Sequence, residues 1–301
     1  MGFAGTIHRP TANQLVSLAE ATMGRMPTLA VTGAHGKTGQ AVITACRETW
    51  QIRALARNQR QAESLRSSGC EVVIGDMANS STLSELFKDT DAVYHICPNF
   101  HPGEVEIGTL VAAKADKVER LLYHSVLHPQ TQKMPHHWRK LLVEEILLEA
   151  RSPRTTFVRS APYVQNLKPY IENARGDGRL VLPYSVDART AMVDLLDVGR
   201  AASALLDSNF ESGSGWDLCG VASISHREIA TLLTRLTLNT VSPHEEQAPN
   251  DTPLEVQKMF SYMNEYGLEG STQQLRALIG DPTPLESTLQ GLLSELEGPT
   301  S

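Results

Sequence analysis

The stretch Thr28-Leu29-Ala30-Val31-Thr32-Gly33-Ala34-His35-Gly36-Lys37-Thr38-Gly39-Gln40-Ala41-Val42 decides the fold. A short apolar run passes into three glycines spaced by three, and an amphipathic segment follows. A buried strand, a tight turn and a helix account for that order. It is the context in which a glycine triplet grips a dinucleotide. Gly33 permits the sharp turn, Gly36 lets the backbone approach a pyrophosphate, and Gly39 lets the helix lie close on the strand. His35, Lys37 and Thr38 complete the turn at a helix N-terminus, where free N–H groups and the dipole favour an anion. Gly36-Lys37-Thr38 also matches the end of a P-loop. That motif needs a glycine five positions before Gly36, where Val31 stands inside the strand. The loop is therefore too short to wrap a triphosphate.

Working outward, short apolar runs alternate with amphipathic ones. Strands are expected at Thr28–Val31, Gln51–Ala56, Glu71–Ile74, Asp91–Cys97, Arg120–Val126 and Thr155–Ser160. Helices are expected at Thr38–Arg47, Ala62–Ser67, Ser81–Phe87, Val105–Lys114 and Trp138–Ala150. Such alternation implies an α/β fold, a Rossmann-like doubly wound parallel sheet with ligands beyond the carboxyl ends of its strands. After Pro162 the rhythm loosens. Arg179–Leu182, Ala191–Leu195 and Trp216–Cys219 read as short strands. Val198–Leu206, His226–Leu236, Leu254–Tyr266 and Leu285–Leu296 read as helices, and Asn239–Pro253 as a loop.

Composition narrows the function classes. The 27 Lys+Arg against 34 Asp+Glu give a net charge of −7, with no basic run of five, so no concentrated positive patch for nucleic acid is visible. No apolar stretch reaches the roughly 18 residues that span a bilayer. Cys46, Cys70, Cys97 and Cys219 lie far apart without a CxxC pair, which suits a reduced, cytoplasmic protein. Residues 1–26 lack the apolar centre of a secretory signal and read as an extension outside the fold.

The second strand selects the cofactor. An NAD site usually carries Asp or Glu roughly 20 residues past the glycines. Here no acidic residue occurs from Thr49 to Ala62, and the strand ends in Ala56-Arg57-Asn58. Arg57 suits a bidentate contact with a 2′-phosphate, which favours NADP(H). Arg53 and Lys37 are candidates for added positive potential.

Taken together, these residues resemble the NmrA-like branch of the atypical short-chain dehydrogenase/reductases, from about Pro27 to Leu296. The likeness rests on the turn Thr32–Gly39, the Arg57-Asn58 pair and Gly75-Asp76-Met77. It extends to the Asp91–Pro98 strand with Cys97 and Pro98 at its end, and to Ser125 at the end of the fifth strand. His136, Lys140 and Glu144 resemble the family's HxxxKxxxE helix, and Thr155–Asn166 its sixth strand and following loop. The resemblance implies a Rossmann core over 27–160 that binds NADP(H). It also implies a smaller C-terminal α/β substrate-binding region over 161–301, packed on the core. Asp76 and Met77 would then lie at the adenine, and Asn166 on the nicotinamide side. The branch holds reductases and regulatory proteins that bind the dinucleotide without turnover.

The candidate chemistry centres on one helix. Ordinary short-chain dehydrogenases pair Tyr with Lys four residues on; the lysine holds the nicotinamide ribose and lowers the phenol's pKa. Lys140 keeps that position, but His136 replaces the tyrosine. His136 is an acid–base candidate or a backbone-bonded histidine at the start of a helix. Glu144 is placed to pair with Lys140 across one turn. Ser125 is a candidate to bond substrate or cofactor, and Tyr163, in the loop after the sixth strand, to supply the missing phenol. Tyr94 and Tyr123 read as packing residues. His124, His128, His136 and His137 cluster, but without HExxH or a nearby cysteine no metal site is expected. Met259, Phe260, Tyr262 and Met263 suit either a pocket lid or a helix core. The expectation is an NADPH-dependent oxidoreductase for a small apolar or aromatic quinone, enone or carbonyl substrate, a monomer or homodimer. The alternatives are a non-catalytic NADP(H) sensor, or an isomerase or lyase with the cofactor as spectator.

Overall fold

A computed structural model describes residues 25–150 and 153–297. Strand β1 (Thr28–Val31) enters the glycine turn and helix α1 (Lys37–Cys46). There follow β2 (Gln51–Ala56), α2 (Gln59–Ser67), β3 (Glu71–Ile74), α3 (Ser80–Leu86), β4 (Ala92–His95), α4 (Glu104–Lys114), β5 (Arg120–Val126), α5 (Pro135–Glu149) and β6 (Arg154–Ser160). The side chains of β1 and β4 are buried throughout, as expected where helices cover both faces of a sheet. Asn58 and Asn79 cap α2 and α3 by accepting from the backbone N–H groups of Gln61 and Ser81.

The C-terminal half begins with a 3₁₀ turn at Val164–Leu167. It continues with α6 (Lys168–Asp177), β7 (Arg179–Leu182), β8 (Arg189–Met192), α7 (Leu195–Leu206), β9 (Ser214–Leu218), β10 (Val221–Ser225) and α8 (His226–Thr237). The last elements are β11 (Ser242–Glu245), α9 (Leu254–Tyr266), α10 (Gln273–Ile279) and α11 (Leu285–Glu297). Seven strands form one parallel sheet in the order β3-β2-β1-β4-β5-β6-β9. The chain reverses direction across the sheet between β1 and β4, which opens a crevice at their carboxyl ends.

The sheet does not end at residue 160. β9 adds to β6, and α7 lies against α1 so closely that a Cβ on Gly199 would stand 2.5 Å from the Ala41 carbonyl oxygen. Two elements of the expected substrate region thus belong to the Rossmann layers. The remaining strands form the ribbons β10-β8 and β11-β7, over a separate apolar cluster that includes Leu180, Ile229 and Leu292.

Several boundaries shift for physical reasons. β4 stops at His95, short of Cys97, because the Ile96 N–H donates to Thr32 Oγ1 at 2.8 Å and leaves the ladder. β8 covers Arg189–Met192, because Asp194 already caps α7 through the Leu196 N–H. The expected loop Asn239–Pro253 contains β11, a polar Ser-Pro-His-Glu strand beside β7. Of the expected extension, 1–24 lie outside the described residues; Arg25 pairs with Asp91 at 2.7 Å.

Candidate active site

A cavity of about 290 Å³ lies past the ends of β1, β2 and β4. Gly33 makes the turn at φ +60°, and a Cβ there would meet that of Ile96 at 2.9 Å. A Cβ on Gly39 would stand 2.5 Å from the Gly33 oxygen and 2.6 Å from the Ala34 Cα, so glycine alone lets α1 approach the turn. No side chain caps α1. The first-turn N–H groups of Lys37, Thr38 and Gly39 therefore have no intrahelical acceptor. Gly33, His35, Gly36, Lys37, Thr38, Leu55, Arg57, Met77, Cys97 and Pro98 line the cavity, and no carboxylate does. The Arg57 guanidinium and the Lys37 ammonium have no hydrogen-bond or ion-pair partner among the described residues. Cys97 is buried in the wall, and burial aided by the Glu104 charge pushes its thiol up to about 12.

A second cavity of about 220 Å³ adjoins the first and shares Asn99, His124 and Tyr163 with it. Ser125 and His136 form part of its wall; Ser125 Oγ and His136 Nδ1 are buried without a hydrogen-bond partner among the described residues. Phe100 packs on His136 with ring centroids 4.5 Å apart and sits at φ +60°, unusual for a bulky side chain. Asn166 and Met259 complete the chamber. Helix α9, which carries Met259, is tied to α5 by Arg139, whose guanidinium donates to Glu255 at 2.8 and 2.5 Å. Burial holds His136 down to about 3 and His137 to about 4, so both rings are neutral near pH 7.

Tyr163 stands between the cavities. Its backbone is pinned by the Val164 N–H donating to the Val193 carbonyl and the Val193 N–H donating to the Pro162 carbonyl. Its hydroxyl lies 2.8 Å from Thr38 Oγ1 and 2.7 Å from His124 Nε2. His124 Nδ1 in turn lies 2.9 Å from the Tyr94 hydroxyl. Burial lowers His124 to about 3 and raises the Tyr163 phenol, with hydrogen bonds to Thr38 and Ser160 acting against that rise.

Lys140 lines neither cavity. It is buried with its Nζ 2.6 Å from Glu104 Oε1, which also accepts from the Tyr123 hydroxyl at 3.0 Å. The expected pair with Glu144 does not form, because Glu144 holds Arg159 through two hydrogen bonds of 3.1 and 2.6 Å. Arg53 is likewise turned away, paired with Glu71. Asp76 caps its own turn through the Ala78 N–H, leaving Met77 in the wall. The four histidines share no ligand set: His128 and His137 bond the carbonyls of Glu269 and His128. Tyr94 and Tyr123 are fully buried, yet both hydroxyls are bonded. The sequence shows His124 only as one histidine of a cluster; its contacts with Tyr94 and Tyr163 arise where β4, β5 and the loop after β6 come together.

Comparison with known proteins identifies the family and the fold. The model of the NmrA-like family matches residues 26–299. The chain belongs to the NmrA-like family. Among curated relatives, the Photosystem II assembly factor Ycf39 of Cyanophora paradoxa is 24% identical over 218 residues, covering 69% of this chain and 68% of the relative. Among solved structures, an NADPH-dependent quinone oxidoreductase of Escherichia coli, complexed with NADPH, superposes with a TM-score of 0.79 at 21% identity, covering 88% of this chain and 100% of the other. The negative transcriptional regulator NmrA in complex with NAD gives 0.76 at 18% identity, covering 91% and 98%. This NmrA-like chain thus shares one fold with an enzyme and a regulator.

Proposed function

We propose that the protein is an NADPH-dependent oxidoreductase acting on a small apolar or aromatic quinone, enone or carbonyl compound. The observation that carries this reading is Tyr163, one side chain that walls both cavities. A dinucleotide held in the first chamber would adjoin a molecule in the second across this side chain. The first cavity fits a dinucleotide by the chemistry of its own groups. The amides of Lys37 and Thr38 suit the pyrophosphate, the unpaired Arg57 guanidinium a 2′-phosphate, and Leu55 and Met77 an adenine face. Cys97 and Pro98 are assigned to the nicotinamide side, and Asn166, which lines the second cavity, to the substrate side. When bound, the dinucleotide supplies hydride. Phe100, Pro162 and Met259 exclude water and orient a flat substrate. Ser125 Oγ and His136 Nδ1 offer it hydrogen bonds, and Tyr163 is the proton donor. Lys140 holds the scaffold through Glu104.

A second reading is a dinucleotide-binding regulator without turnover. It is favoured by the absence of a phenol at position 136 and by the buried pairing of Lys140. Spectrophotometric consumption of NADPH against a panel of quinones, enones and aldehydes separates the two. Turnover of any panel member upholds the enzyme; tight NADPH binding with no turnover upholds the regulator.

A further inference from the structure

The phenol, imidazole and phenol of Tyr163, His124 and Tyr94 form one continuous hydrogen-bonded row, and proton counting fixes its direction. The Tyr94 hydroxyl is fully buried, and its hydrogen-bond partner among the described residues is His124 Nδ1. A buried hydroxyl hydrogen needs an acceptor, so Nδ1 must be the unprotonated nitrogen. The neutral ring then carries its hydrogen on Nε2, 2.7 Å from the Tyr163 oxygen. With that lone pair taken, the Tyr163 hydrogen has three outlets: Thr38 Oγ1 at 2.8 Å, the Ser160 hydroxyl, or an acceptor within the cavities.

We propose that His124 is a positioning residue for an acid at Tyr163: it takes the Tyr94 hydrogen at Nδ1 and presents Nε2–H to the Tyr163 oxygen, so that the phenol's own hydrogen faces the substrate. This rests on the oxidoreductase reading above and concerns the proton step alone. As negative charge develops on a substrate oxygen, the Tyr163 O–H bond breaks and a new O–H bond forms on that oxygen. The electron pair stays on Tyr163 as phenolate, held by Nε2–H through a charge-assisted hydrogen bond. Water then returns a proton to the phenolate. His124 thereby performs the service that a lysine gives the usual tyrosine, and which Lys140, sequestered by Glu104, does not. The other titratable groups around the pair are His136 and His137 across the second cavity and His35, Lys37, Arg57 and Cys97 along the first. Behind it are Lys140 with its Glu104 partner, and Cys46 near Tyr94.

The first test needs no turnover. Long-range proton–nitrogen correlation spectra of histidine-labelled protein, assigned with His124→Gln, are expected to show the Nε2–H tautomer at neutral pH. Tyr94→Phe is expected to abolish that preference. An Nδ1–H tautomer in the wild type overturns the proposal. The second test is kinetic. His124→Phe is expected to lower kcat about 10- to 100-fold and move the alkaline limb of the rate profile to higher pH. His124→Gln, which keeps an N–H donor, is expected to recover part of the loss. Wild-type turnover that His124→Phe leaves intact overturns the proposal alone. Wild-type protein that oxidises no NADPH overturns the reading beneath it.

Discussion

The two cavities meet at Tyr163 but are built in opposite ways. The first is made of backbone: a glycine turn at positive φ, an uncapped helix N-terminus and the carboxyl ends of parallel strands. Its charged side chains, Arg57 and Lys37, are left unpaired among the described residues. The second is made of side chains drawn from β5, β6, α5 and α9, most of them buried and neutral. A backbone site tolerates little change and binds what all its ligands share. A side-chain site is held by mutual packing and can differ from one protein to the next within the same scaffold.

Substitution at the glycine turn should break the first cavity outright. Gly39→Val places atoms where the Gly33 oxygen already lies 2.5 Å from a Cβ position, and it should cost at least about 5 kcal/mol. Urea unfolding checks this; a variant with wild-type stability would contradict the backbone construction. Next in size is Lys140→Ala, which strands the buried Glu104 carboxylate. It should lower stability by about 3–5 kcal/mol. Loss of turnover at unchanged stability would instead mean that Lys140 serves the reaction directly.

A change of pH sharpens the contrast, because three of the five depressed histidines among the described residues line the second cavity, His95 and His226 being the other two. His124 and His136 at about 3 and His137 at about 4 stay neutral in the fold, whereas the unfolded chain protonates them near pH 6.5. The unfolded state therefore binds more protons as pH falls, and stability drops below about pH 6.5, by about 2 kcal/mol per histidine at pH 5. Urea titrations at the two pH values measure it; a flat response would place charge or solvent on those rings. The smallest effect is expected at the rim. Arg139→Ala frees α9 from α5 and should raise KM about two- to fivefold with kcat unchanged. A fall in kcat would show that this tie also orders the reacting groups.

The same contrast governs what the sequence disclosed. Thr28–Gly39, the alternation through Ser160 and the missing acid beside Arg57 follow local rules of period, turn and cap, so the sheet and first cavity were legible. The seventh strand reads as a short strand at Trp216–Cys219 without a place in the sheet, because nothing local says that β9 returns to β6. β11 was hidden by its polar, proline-bearing sequence. Lys140 shows the limit of a motif: the spacing from His136 survives, while Glu104, 36 residues earlier, takes the ammonium. His124 and Tyr163 are 39 residues apart, and only the pairing of β5 with β6 makes them neighbours.

In the proposed reading, backbone amides and Arg57 hold NADPH in the chamber past β1. Calorimetric titration of the protein with NADPH and with NADH, repeated on Arg57→Ala, tests it directly. NADPH should bind at least about tenfold more tightly than NADH, and the substitution should erase the difference. Equal affinities in the wild type, or no heat of binding with either nucleotide, would contradict it.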